Sequence, residues 1–494
     1  MFRWFGIKFA DGYNSSMIGT FFYNVQVRVR KSWDRSLAGR LVYGANSEQL
    51  TVNSSGGILL QQNSFINSLR ASKILQWISH YEIFFAVLLA IAPIAPTMAC
   101  AGLAAVVIIA FAVNKLIFHK TQFNFKKMSV LSWFVFAFLV LTFVYALTSL
   151  DIIGSIKVWF IYVVFISMFF IARQAIKSKK ELNIACWILV SVGALVALYG
   201  VYQNFFGSNL GHAWLDQTMF TDITVRVYST LGNPNVLGEY LLLTIPVGVG
   251  MIWYKIKFWK TYEITTWKKV VPLILLIGFV GIQLLCMIYT QSRGCWIAIA
   301  FTAFIFILFV DKRWILLFIV AIAAAPFLLP QSILDRLSSV GNMGDSSTAY
   351  RVSIWMGTLN MLQDFWLTGV GLGAAAFAKV YPFYSYSMIT APHAHNLFLE
   401  TISEMGIVGL VILLGIIFSF VFMVLRKYVK ISKKTANVIL AVAFVAGFLG
   451  FILQGMFDYV WYNYRVFLMF WIFMGIGSKI LEITKDESQI TNGG

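Results

Sequence analysis

Long apolar stretches alternate along this chain with short polar segments, most of them basic. Apolar runs fall near 83–97, 98–117, 128–148, 152–172, 182–206, 236–254, 270–290, 294–310, 313–330, 396–424, 436–456 and 459–480. As helices, runs of this length cross a hydrocarbon core of roughly 30 Å. A membrane barrel would instead show short segments of alternating polarity. The pattern therefore predicts an all-α polytopic membrane protein with about twelve transmembrane helices, the first two a tight pair broken around Pro93 and Pro96.

The polar segments give an orientation. With the amino terminus inside, the even-to-odd loops read "NKLIFHKTQFNFKK", "RQAIKSKKE", "YKIKFWKTYEITTWKK", "DKR" and "LRKYVKISKK". Each is basic, as cytoplasmic loops are. The predicted organisation is a basic cytoplasmic arm (1–80, nine Lys or Arg against three acids), helices one to nine (81–330), a large extracytoplasmic loop (331–395), helices ten to twelve (396–482) and a cytoplasmic tail (483–494). No signal peptide is expected, because the first strong apolar run begins near Ile83.

Composition agrees: 60% of residues are hydrophobic and 12% charged, with a mean hydropathy of +0.79. The net charge of +18 raises nucleic acid as a partner, but the cations sit in the arm and the inter-helix loops. Topology and anionic membrane lipids account for them, and no nucleic acid partner is expected. Cys100, Cys186, Cys286 and Cys295 lie in or beside apolar runs without Cys-x-x-Cys spacing, and read as packing residues.

The outward segments carry few cations: Arg226, Arg293, Arg336, Arg351, Lys379 and Arg465. External arginines oppose the topological bias, so an anion on the outer face is one reason for them. Snorkelling, or pairing with an acid such as Asp458 or Asp345, is the other. Arg293 stands out in the tight "TQSRG" turn, where an unpaired charge at the membrane lip is costly.

The loop at 331–395 is far longer than an ordinary connection, which favours a folded functional element. Within it "STAYRVSIWMGTLNMLQDFW" predicts an amphipathic helix capped by the Ser-Ser-Thr cluster, with Val352, Trp355, Met356, Leu359 and Leu362 on one face. "GVGLG" reads as a flexible turn, and it lacks the strand and lysine of a phosphate-binding loop. The Tyr-rich "YPFYSYSMITAPHAHN" suits an interfacial belt or the apolar faces of sugars.

His393 and His395 end that segment. Placing the next helix start at Asn396 puts His395 at its cap, facing an outer cleft. A His-x-His pair can bind metal, but no cysteine or carboxylate set accompanies it in sequence, and no metal or other cofactor is expected. A merely hydrogen-bonded histidine is a further alternative. Asn396, Glu400 and Glu404 along one helix face favour a base, with Glu400 orienting the imidazole and Glu404 structural.

"RVYSTLGNPNVLGEYL", "TQSRGCWIAIA", "YRVSIWMGTLNMLQDFWLTGVGLG" and "HAHNLFLETISEMGIVGL", in this order, resemble the bacterial O-antigen ligase and polymerase family. The most specific element is His395-Asn396 followed by Gly406-x-x-Gly409, and Leu410 stands where ligases often carry a small polar residue or valine. The resemblance spans roughly 80–480. It implies a fold similar to the C-type membrane glycosyltransferases, and transfer from an undecaprenyl-pyrophosphate-linked glycan to a glycan or lipid acceptor at the outer face of the bacterial plasma membrane. It also implies a polysaccharide flippase and a chain-length regulator as partners.

In that light His395 is expected as base, Arg226 and Arg293 as the pyrophosphate clamp, Arg351 as its assistant, and Arg465, His393, Asn396 and Glu400 as substrate-side residues. Asn233-Pro234-Asn235 reads as a rigid supporting turn, and Lys157 as a cation for phosphate or a nearby acid. A lipid-glycan transporter is the competing class. It would place charges along a path through the membrane and show repeated halves, whereas the unusual charges here gather on one face.

Overall fold

The computed structural model describes residues 67–118, 128–207, 225–260, 265–430 and 436–490. Predictions for the arm before 67, and for parts of the loops at 119–127, 208–224, 261–264 and 431–435, lie outside the described residues. Among the described residues the protein is helical, with no strand. In chain order the helices are α1 (Lys73–Ile78), α2 (Tyr81–Ile91), α3 (Thr97–Val113), α4 (Val130–Leu147), α5 (Ile152–Ala175), α6 (Lys179–Phe206), α7 (Pro234–Lys257) and α8 (Thr266–Tyr289). They continue with α9 (Arg293–Val310), α10 (Ile315–Leu328), α11 (Gln331–Ser338), α12 (Ser346–Phe365), α13 (Ala374–Val380), α14 (Leu397–Lys430), α15 (Ala436–Gln454) and α16 (Tyr464–Ile490).

Nine described helices are long and apolar enough to cross a membrane, or ten if the pair Lys312–Leu328 and Gln331–Ser338, bent by 112°, counts as one broken span. The protein is thus an all-helical, multi-pass membrane protein, and the expected count of twelve is not reached among the described residues. The shortfall has a physical source at the start. The run 83–97 is interrupted at Pro93 and Pro96, so α2 has only 11 residues, about 16 Å of helix, too short to span alone. At the other end α16 is apolar on every side and buried from Val466 to Ile476, but it is not among the nine.

The chain divides into two compact units. In the smaller, formed by the described residues up to Phe85 and by Ala105–Trp133, Tyr81 meets Phe111 edge to face at 5.1 Å, and Asn114 Nδ2–H donates to the Ser79 carbonyl at 2.9 Å. The larger comprises Ala86–Ala104 and everything from Phe134 onward. In it α7 and α15 are the most enclosed of the candidate spans. They pack on each other, α15 packs on α9, α6 on α8, and α16 on α5. Small residues permit these approaches, as where Gly250 faces Ala443.

The long loop is a folded body with its own core of Ile354, Met361, Val370, Ala376, Phe377, Tyr381, Ala391 and Ala394. The expected helix forms as α12, but Asp345 caps it by accepting from Thr348 N–H at 3.0 Å, rather than the Ser-Ser-Thr cluster. Its buried stripe also differs: Ile354, Gly357, Thr358, Met361 and Leu362 face inward while Met356 and Leu359 are exposed. Gly357 selects that face, because its missing side chain leaves room for the Tyr381 ring. α14 begins at Leu397, one residue later than expected, and Asn396 rather than His395 is its cap.

"GVGLG" is a wedge rather than a flexible turn. Gly369, Gly371 and Gly373 all have positive φ, and this segment seats against a break in α14 at Met405 and Gly406. Val370 N–H donates to the Ser403 carbonyl at 2.7 Å, Gly371 N–H to that of Glu404 at 3.2 Å, and Ile407 N–H to that of Trp366 at 2.7 Å. Gly406, with φ 58° and ψ −170°, lies in a region open essentially to glycine alone, and any Cβ there would strike the Leu367 carbonyl. Gly406→Ala should therefore destabilise by at least roughly 2 kcal/mol, read as a lower unfolding midpoint in detergent. Gly278→Ala, with nothing within 4 Å of its added methyl, should leave the midpoint within a degree or raise it. Equal midpoints for the two variants would contradict the wedge.

Candidate functional site

Four chain segments of the larger unit converge, together with α11 and the start of α12, at one end of their helices. The first is the strand-like lead into α7. Val227 N–H donates to the Tyr289 carbonyl at 3.2 Å, seating Arg226 beside the α8–α9 turn, and Arg226 Nε donates to the Thr290 carbonyl at 3.1 Å. Asn233 caps α7 by accepting from Asn235 and Val236 N–H, with Pro234 in its first turn. That is the supporting role expected of the turn. Asn235 goes further: its Oδ1 accepts from Arg226 at 3.3 Å and its Nδ2 donates to Asp458 at 2.9 Å.

The second segment is the tight turn ahead of α9, where Gln291 takes a φ of 53°. Arg293 emerges from it and is held by the loop, donating to the Ser339 carbonyl at 3.0 Å, to the Ser339 hydroxyl and to Asp345. Arg336, from α11, reaches the other Asp345 oxygen at 3.8 Å. Arg351, from the first turns of α12, hydrogen-bonds Ser347 at 2.8 Å and Asp458 at 3.4 Å. Pairing with Asp345 or Asp458, one of the two readings left open by the sequence, is what Arg293, Arg336 and Arg351 do, whereas Arg226 bonds the Thr290 carbonyl and Asn235. Four guanidinium groups thus cluster beside two aspartates, with Glu239, buried in α7, within electrostatic reach of Asp458 and Arg351.

The clustering of arginines has a local signature. Burial, then the neighbouring charges of Arg336, Arg351 and Arg293, push the Arg226 guanidinium down to about 9. It stays cationic at neutral pH, at an electrostatic cost that a bound anion would relieve. Burial alone would raise the Asp345 carboxyl, but hydrogen bonds from Arg293 and Thr348 hold it below its usual range.

The third segment carries the histidines. His395 has a φ of 46°, in the left-handed region. Three bonds fix the strap around it: its own N–H donates to His393 Nδ1 at 3.1 Å, Ala394 N–H to Glu400 at 2.6 Å, and Trp355 Nε1–H to the His395 carbonyl at 3.3 Å. Glu400 therefore positions the backbone between the two histidines rather than touching an imidazole. Glu404 accepts from Gly373 N–H at 2.7 Å and pins the glycine wedge, the structural role expected of it. Asn396 accepts from Phe398 and Leu399 N–H and donates to the Met456 carbonyl at 2.8 Å, bracing the start of α14 against the fourth segment.

That fourth segment, between α15 and α16, supplies Asp458. Its Oδ1 contacts His395 Nδ1 at 2.9 Å and accepts from Tyr459 N–H at 2.9 Å, while Oδ2 takes Asn235 and Arg351. Burial would raise its carboxyl, but the hydrogen bond with His395 and the charge of Arg351 hold it well below the carboxylate range. An ionised Asp458 on Nδ1 fixes the tautomer that leaves His395 Nε2 as an acceptor, and the side chain is one-fifth exposed.

His393, His395 and Asp458 bring one ligand atom each within 4.8 Å, so the carboxylate absent from the local sequence pattern is present in space. A carboxylate offers about four lone-pair positions, and all four on Asp458 are engaged by the contacts above. A metal would have to displace them amid four arginines, and the set fits an Asp–His dyad better than a metal centre.

Arg465 donates to the Thr230 carbonyl at 2.8 Å rather than to either aspartate, and Lys157 is exposed while Asp151 pairs with Lys379 at 2.7 Å. The residues that sequence reasoning did not assign to the site are Asp458, Arg336, Asp345 and Asn235. An acid in the short polar turn "FDYVWYNYR" between two apolar runs was the available signal for Asp458.

Residues 276–414 match the family model described as O-antigen ligase. No curated protein matches the chain. The matched segment carries Arg293, Arg336, Asp345, Arg351 and both histidines, whereas Arg226, Asn235 and Asp458 come from outside it.

Burial pushes His393 down to about 3, against an ordinary value of 6.5. The folded state then binds fewer protons than the unfolded chain between those values, so this contribution to stability is complete above about 6.5 and falls as pH drops toward 3. Each pH unit in the window costs roughly 1 kcal/mol. His393→Phe should flatten the decline of the unfolding midpoint between pH 6.5 and 4.5, and an unchanged slope would show that His393 is not buried neutral.

Proposed function

The O-antigen ligase family is represented over residues 276–414, and with that as premise we propose that the chain is a membrane glycosyltransferase. In this reading it joins undecaprenyl-pyrophosphate-linked repeat units into a cell-surface polysaccharide such as an O-antigen, a capsule or a teichuronic-acid-type polymer. The observation that carries the reading is the adjacency of an oriented Asp458–His395 dyad and a cluster of arginines, bridged by Asn235. Glycosyl transfer from a lipid pyrophosphate needs both: a base for the acceptor hydroxyl and fixed positive charge for the leaving group.

The step follows from these roles. The acceptor hydroxyl gives its proton to His395 Nε2 as its oxygen bonds to the donor sugar's anomeric carbon. The bond from that carbon to the pyrophosphate oxygen breaks, and the electron pair leaves with the lipid pyrophosphate. Arg226 and Arg351 are the nearest cations to the dyad through Asn235 and Asp458, with Arg293 and Arg336 behind them on Asp345. Asp458 stabilises the imidazolium that forms. The active face is extracytoplasmic in this reading, the membrane is the bacterial plasma membrane, and a flippase and a chain-length regulator are its functional neighbours.

A second reading has its own support, since the matched model is described as O-antigen ligase. A ligase would use the same dyad and arginines to move a finished glycan to a lipid or protein acceptor. A glycan gel separates the two. In a strain lacking this protein, the wild type should restore polymer, while His395→Ala and Asp458→Asn at matched membrane levels should lower the rate by about 10²–10⁴-fold. Accumulation of single lipid-linked units supports the polymerase, accumulation of long lipid-linked chains supports the ligase, and full polymer from both variants overturns the assignment.

A further inference from the structure

Four rings stand in a row across the dyad. Tyr350 meets His395 edge to face at 5.7 Å, His395 lies 4.1 Å from His393, and His393 lies 4.4 Å from Tyr462, all between ring centroids. The two ends are open to solvent, Tyr350 at 36% and Tyr462 at 50% exposure, while His393 between them is 4% exposed. Each ring is fixed. The Tyr350 hydroxyl donates to the Thr390 carbonyl at 3.2 Å, and Tyr462 N–H donates to the Tyr459 carbonyl at 2.9 Å.

The two imidazoles offer opposite functions. His393 Nδ1 accepts from the His395 backbone N–H, so in its neutral form the ring carries its proton on Nε2 and is a donor there. With Asp458 on Nδ1, His395 Nε2 is an acceptor. No hydrogen-bond partner for either Nε2 is found among the described residues. A donor and an acceptor side by side, flanked by exposed tyrosine faces, match a pyranose: two hydroxyls on adjacent carbons, and an apolar face of C–H groups for an aromatic ring.

We propose that the row Tyr350–His395–His393–Tyr462 is the acceptor subsite, binding a pyranose whose attacking hydroxyl rests on His395 Nε2 while a vicinal hydroxyl accepts from His393 Nε2–H and a sugar face stacks on the flanking tyrosines. This deepens the glycosyl-transfer reading and rests on it for the identity of the attacking hydroxyl. The subsite selects for a diol at the acceptor end, so a sugar whose neighbouring hydroxyl is deoxy or capped is a poor acceptor. His393 is a specificity-determining residue in this account, Tyr350 and Tyr462 are binding residues, and an interfacial belt for lipid is the competing role of the tyrosines.

The test uses the full chain in lipid nanodiscs and a panel of methyl pyranosides, with saturation-transfer NMR as the readout. Signal on the sugar ring protons is expected for the wild type, lost in the Tyr350→Ala/Tyr462→Ala double variant and retained in Arg226→Gln. Methyl glycosides deoxygenated beside the favoured hydroxyl should lose signal with the wild type but not with His393→Phe. In a transfer assay with a soluble acceptor, the double variant should raise the acceptor KM by about tenfold while leaving the donor KM unchanged. Binding without any transfer by the wild type would sink the transferase reading and leave the sugar subsite standing. Transfer that proceeds with unaltered acceptor KM in the double variant, whose thermal midpoint checks its folding, would overturn the subsite and leave the tyrosines as an interfacial belt.

Discussion

The Asp458 carboxylate is the constraint on which the rest of the site depends. Its two oxygens are shared among His395 from the loop, Asn235 from the start of α7, Arg351 from α12 and its own neighbour Tyr459 N–H. No two of the three side chains it holds come from the same segment, so one buried anion fixes the relative placement of base, bridge and cation. The arrangement is mutual. A buried carboxylate without these partners would be costly, and the partners without it would leave an imidazole of undefined tautomer beside uncompensated guanidinium groups.

Asp345 repeats the device one layer away, capping α12 while tying Arg293 and Arg336 to the same point. The two aspartates thus gather cations that would otherwise repel. Strained backbone serves the same end, since Gln291 and His395 both adopt positive φ at the points where Arg293 and the dyad imidazole are presented. The glycine wedge against the break in α14 and the Glu400 and Glu404 carboxylates hold that strap from behind.

Much of this was legible in the sequence because its physics is local. Apolar runs announce helices by length alone, and the folded loop announces itself by its length and by the helical spacing of Val352 to Leu362, although the stripe that is buried runs from Ile354 through Met361 to Leu362. Errors arose where two residues compete for one local role. Ser346, Ser347 and Thr348 look like caps, but Asp345 takes the position and also pairs with Arg293 and Arg336. His395 and Asn396 can both cap α14, and the left-handed turn at His395 frees its imidazole and gives the cap to Asn396. Asp458 was visible only as a stray outer acid, since its partner His395 lies 63 residues away in the chain and no pattern in either segment points to the other. Pro93 and Pro96 shorten α2 below a full span, which a count of apolar residues does not register.

The central claim is that buried arginine charge binds the pyrophosphate while the dyad performs chemistry on the acceptor. It is tested most directly by the affinity of the protein in nanodiscs for undecaprenyl pyrophosphate, compared among the wild type, Arg226→Gln and His395→Ala. The account predicts that Arg226→Gln weakens binding at least tenfold, about 1.4 kcal/mol, while His395→Ala binds as the wild type does. Equal affinities in all three proteins, or loss only in His395→Ala, would contradict it.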